Sequence, residues 1–85
     1  MSGARYALPA SIADMTRSEM ELAIKEARLD KLSEDIARLY LVDGQAQMDV
    51  AAELYIARST VGRRIPAIVA RIDKTAQRLN MIAPK

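Results

Sequence analysis

The sequence predicts an all-α fold, a small bundle of about five helices. Apolar residues recur at spacings of three and four from Met20 to Leu79, and no stretch alternates as a strand would. Glycine and proline number three each, which leaves little turn chemistry for hairpins. Eighty-five residues admit one domain, and 51% hydrophobic with 28% charged residues is the balance of a folded chain, not of a disordered tail.

The elements follow in order. Met1 to Asp14 carries Gly3, Pro9 and small residues without a period, and reads as part of a flexible N-terminal arm, residues 1–15. Its first ten residues, Met1 to Ala10, have one charge, Arg5, and no long apolar core, so they are not expected to be a signal peptide. Thr16-Arg17-Ser18-Glu19 has the form of a capping box, and a helix should run from about Arg17 to Arg28. Met20, Ala23, Ile24 and Ala27 form its apolar stripe. Asp30 is the expected N-cap of a second helix, about Lys31 to Val42, which buries Leu32, Ile36, Leu39 and Tyr40. Asp43-Gly44 closes it, because glycine accepts the left-handed conformation past a helix end.

A third helix is expected from about Ala46 to Leu54, with Val50, Ala51 and Leu54 inward. A fourth begins at Arg58 or Ser59. Pro66 either kinks it or opens a new helix at its first turn. Residues 66–80 read as a C-terminal helix and 81–85, with Pro84, as a fraying tail. No apolar run reaches the roughly 18 residues that cross a bilayer.

Composition excludes several functions. Cysteine and histidine are absent, which removes disulfides, the usual zinc sites, the commonest general base and the Ser-His triad. Glu19, Glu21 and Glu26 fall on the solvent side of their helix, so neither an enzyme nor a cofactor site is expected. Three tyrosines make a poor stacking platform for single-stranded RNA. Lack of cysteine fits a reducing cytoplasm.

Charge is unevenly placed. Residues 1–43 hold six basic and eight acidic side chains, whereas residues 44–85 hold seven basic and three acidic. Between Ala57 and Ile72 stand Arg58, Arg63, Arg64 and Arg71 with no acid, which points to an anionic partner.

The stretch from Gln47 to Ile65 meets the demands of a DNA-reading helix-turn-helix. Ala51 is small where a second helix must cross closely. Val50, Leu54, Ile56, Val61 and Ile65 are apolar where the pair must be pinned to a core. Arg58, Ser59, Thr60, Gly62 and Arg63 are available for outward contacts from the second helix, and the Gln47 amide can meet a phosphate. Tyr55 stands where such turns usually have glycine at positive φ; it either costs about 1 kcal/mol or shifts the turn. Arg63 is the expected bidentate contact to guanine, Ser59 and Thr60 could reach base edges, and Arg58 and Arg64 are expected on phosphates.

Asp30 to Ile65 resembles the helix-turn-helix region of the KorA/TrfB-type plasmid transcriptional repressors. The resemblance rests on ARLYLVDGQAQMDVAAEL, Ala37 to Leu54, and ARSTV, Ala57 to Val61; Leu41-Val42-Asp43-Gly44 followed by Gln47 is its most distinctive part. With the capped helix from Thr16 it extends over about residues 16–66, the expected DNA-binding domain. The resemblance implies a dimeric, bacterial, plasmid- or nucleoid-associated repressor of palindromic operators. It puts Gln47, Arg58 and Ser59 near the DNA backbone. Arg63 falls where the family has a base-reading glutamine, and Ala67 where it can have a basic base-reading residue.

The family's dimer is made by a further C-terminal segment, and this sequence ends at Lys85. The expected homodimer contact is therefore the stripe Ile68, Ile72, Ala76 and Leu79, which would be exposed in a monomer. The competing expectation folds that stripe against Tyr6 and Leu8 of the arm. No small-molecule effector or membrane partner is expected. The rival function is a protein-interaction adaptor acting on RNA polymerase or another DNA-bound regulator.

Overall fold

The computed structural model of the protein describes residues 8–79. These residues are helical, with no strand among them: a single turn, α1 (Ala10–Ala13), then four longer helices, α2 (Arg17–Ala27), α3 (Lys31–Ala37, continued by a wider π-turn over Arg38–Val42), α4 (Gln47–Leu54) and α5 (Arg58–Arg78). No helix among them is long and apolar enough to cross a membrane.

The capping box at Thr16 forms as the sequence requires. The Glu19 amide donates to Thr16 Oγ1 at 3.1 Å, and the Thr16 amide donates to Glu19 Oε1 at 2.9 Å. Met20, Ala23, Ile24 and Ala27 are all buried. Asp30 does occupy the N-cap position of α3, but its side chain makes no capping bond; its partner lies elsewhere. Gly44 has φ of 72°, and the Gln45 amide donates to the Leu39 carbonyl at 3.0 Å, the bond that closes a helix around a left-handed residue. The π-turn ahead of it has a physical reason. Leu39-Tyr40-Leu41-Val42 puts four apolar residues in succession, and a wider turn lets more of them face inward than α-winding would. Tyr40 is buried and the other three pack against the core.

α5 is the pillar of the bundle and packs against α2, α3 and α4. Three expectations are corrected around it. First, Pro66 does not open a new helix: of the two alternatives its place inside a helix is the one found, and α5 is continuous from Arg58 to Arg78. Pro66 has no N–H to donate to the Gly62 carbonyl, so the helix runs on with one backbone bond missing. Secondly, Ile68, Ile72 and Ala76 are not an exposed stripe. They are 3%, 0% and 0% exposed within one chain, and Leu79 is half-buried. The stripe lies on the same face of α5 as Val61 and Ile65, so the continuous helix carries it into the core that holds those two. Thirdly, the N-terminal segment is not wholly an arm. The Pro9 carbonyl accepts from the amides of Ile12 and Ala13, which closes α1, and Ile12 is 1% exposed in the core with Leu8 packed beside it. An apolar side chain of this size gains about 1.5–3 kcal/mol on full burial, which offsets part of the cost of ordering the turn. Tyr6 and the tail 81–85 lie outside the described residues.

Candidate nucleic-acid interface

α4 and α5 are joined by three residues, Tyr55, Ile56 and Ala57. Tyr55 adopts φ 58°, ψ 43°, and the Ile56 amide donates to the Ala51 carbonyl at 3.0 Å. The turn therefore keeps the left-handed geometry that usually belongs to glycine, with tyrosine in place. Its ring is 95% exposed, so packing returns little for the strain. Ile56 turns back onto the core and Val50 and Ala51 are buried beneath, which pins α4 to α5.

The first turn of α5 starts from Ala57, whose carbonyl accepts from Thr60 and Val61, and it has neither a side-chain cap nor an acidic residue. Arg58 and Ser59 are exposed there, and Arg63 is exposed one turn on. At 3.6 residues per turn Ser59, Arg63, Pro66, Ala67 and Ala70 share one outward face, opposite Val61, Ile65 and Ile72. Thr60 is half-buried at its edge. Gln47, the first residue of α4, comes up on the other edge. A Cβ placed on Gly62 would lie 3.4 Å from Gln47 Oε1, so Gly62 and the Gln47 amide are neighbours.

Arg64 departs from expectation. Its Nη1 donates to Asp30 Oδ2 at 3.2 Å and to Ser33 Oγ at 3.0 Å, so the guanidinium, still partly exposed, ties α5 to the start of α3. This also explains why Asp30 leaves its cap unmade. The neighbouring Ser33 hydroxyl and the Arg64 charge hold the Asp30 carboxyl below the ordinary carboxylate range. Neither Asp30 nor Ser33 was legible as a partner of Arg64, since no local spacing signals a contact across more than thirty residues.

Five ion pairs fall within the described residues, and their cations are Arg17, Lys31, Arg38 and Arg64. Arg58 and Arg63 are in none of them. The outward face of α5 thus presents unneutralised guanidinium groups over a run without acid until Asp73. No cluster of metal-ligating side chains occurs among the described residues. Comparison with models of protein families, with curated proteins and with solved structures finds no match for the chain.

Proposed function

We propose that the protein is a sequence-specific double-stranded DNA-binding repressor in which α4, the Tyr55–Ala57 turn and α5 act as a helix-turn-helix. The observation that carries this reading is the outward face of α5. It presents Ser59 and the unpaired Arg63 on a rigid helix, with Gln47 at its flank and no acid on α5 itself before Asp73. In the major groove, Arg63 supplies a bidentate contact to guanine O6 and N7, with Ser59 and Thr60 at base edges. Arg58, Gln47 and the free amides of the first turn meet phosphates, which fix register without reading sequence. Arg64 holds the angle of α5 against α3 and serves as a positioning residue. Occupying a promoter excludes polymerase, and the reading requires no catalysis and no cofactor.

The likeness of Ala37–Val61 to the KorA/TrfB-type repressors supports a homodimer on a palindrome. The pairing surface in that case is not the Ile68–Ile72–Ala76 stripe, which each protomer needs for its own core.

Selection of bound sequences from random duplex DNA, with Arg63→Ala beside the wild type, tests the reading. The wild type should select a defined site, and Arg63→Ala should lose preference at one base pair per half-site at a cost of about 1–3 kcal/mol. Unselective recovery by the wild type would reject sequence-specific binding. The exposed Tyr55 and Met48 favour a second reading, a protein-interaction adaptor, and affinity for duplex DNA that is absent or insensitive to salt is the result that would select it.

A further inference from the structure

Arg28 and Arg71 belong to none of the sites above. Both are exposed, neither is in an ion pair, and together they line a pocket of about 220 Å³ between the α2–α3 turn and α5. Leu29, Asp30, Ser33, Ala67 and Ile68 complete its walls. The pocket's one carboxylate, Asp30, is already engaged by Arg64 at 3.2 Å. Two arginines outside any ion pair thus border a pocket whose one carboxylate is already paired.

The backbone adds a second observation. Arg28 ends α2 at φ 55°, ψ 50°, a left-handed position that glycine fills at least cost. The exposed Arg28 side chain is in no ion pair that would repay the strain within the chain, which makes it a candidate for a contact outside the chain.

The place of the pocket on α5 identifies the ligand. Ala67 stands one turn beyond Arg63 on the outward face and also lines the pocket, so the pocket opens beside that face. At 3.6 residues per turn, Gly62 with its neighbour Gln47 lies about 100° to one side of Arg63, and Arg71 lies about 80° to the other. A helix seated in the major groove has one phosphate backbone along each flank.

We infer that Arg28 and Arg71 together clamp a backbone phosphate of the DNA strand facing the flank of α5 opposite Gln47. The inference rests on the DNA-binding reading of α5. Each guanidinium can offer paired N–H donors to phosphate oxygens, and the clamp orients the protein without reading a base.

The test compares wild type, Arg28→Gly/Arg71→Gln and the control Arg38→Ala on a duplex selected by the wild type, from about 50 to 200 mM salt. Arg28→Gly removes the charge and relieves the left-handed strain, and Arg71→Gln keeps a good helix former, so the double variant should melt no lower than the wild type. It should bind every sequence roughly tenfold more weakly. Its slope of log affinity against log salt should be shallower by about one, with base preference unchanged. Arg38→Ala should behave as the wild type. A double variant that binds DNA with the wild-type affinity and slope overturns the clamp alone. A wild type that binds no duplex overturns the DNA reading and the clamp with it.

Discussion

Tyr55 and Arg28 hold φ of 58° and 55°, and each ends a helix where glycine would sit without cost. For Tyr55, the sequence left open whether the tyrosine is strained or the turn is altered; the turn keeps its shape and the residue carries the strain. Tyr55→Gly should therefore stabilise the protein by about 0.5–1 kcal/mol, after the larger backbone entropy of glycine in the unfolded chain is set against the relief. Thermal melting should read this as a rise of several degrees, and an unchanged melting temperature would mean the tyrosine is not strained.

Asp30 gives a pH dependence. Its carboxyl titrates below its ordinary value because of the Ser33 hydroxyl and Arg64. A depressed carboxylate stabilises the fold at pH values above its unfolded pKa, and that contribution disappears as pH falls through the lower folded value. The loss should begin near pH 4 and continue below it. Melting curves of Asp30→Asn from neutral to acid pH should show a flatter decline than the wild type; parallel declines would remove Asp30 from the acid response.

At the scale of the element, Pro66 in the interior of α5 withholds a hydrogen bond from Gly62. Pro66→Ala should restore the bond and stabilise the protein by about 1–3 kcal/mol in urea unfolding, since Pro66 is exposed and its ring contributes little packing. Gly62→Ala should also stabilise, by about 0.5–1 kcal/mol, because the added methyl meets Gln47 Oε1 only at ordinary contact distance.

Helices α2 to α4 were legible because their signals are local. Thr16 and Glu19 close a box three residues apart, Gly44 stops α3, and Val50 with Ala51 marks the inward face of α4. What was not legible is decided by distant contacts. A proline at position 66 announces a kink or a new start by propensity, yet α5 packs against three other helices, and this tertiary support outweighs a local penalty of roughly 3 kcal/mol. Ile12 shows the same limit: one apolar residue in a segment without period gives no warning that it will fill the core. In the candidate site the exposed residues Ser59 and Arg63 were legible from helical spacing. The bridging role of Arg64 was not, since its partners sit at the start of another helix.

For the whole molecule, the burial of Ile72 changes what its substitution tests. An exposed stripe would make Ile72→Glu a dimer-breaking change that leaves the fold intact. At 0% exposure the same substitution puts a carboxylate into the core, and it should cost more than about 4 kcal/mol and unfold the protomer. Circular dichroism should show lost helix content. A folded Ile72→Glu protein would contradict the core packing described above.

The unbroken α5 also governs how the molecule opens. Its backbone amides from Val61 onward donate within the helix apart from Pro66, and its inward residues meet α2, α3 and α4 together. No part of that helix can peel away while the bundle stays closed, so deuterium should enter its middle only through global unfolding, whereas the amides of Arg58 and Ser59 should exchange within the earliest time points. The outward face of α5 is then carried by the slowest-breathing segment of the chain. A ligand meets that face already set, and its capture costs the protein almost no ordering entropy.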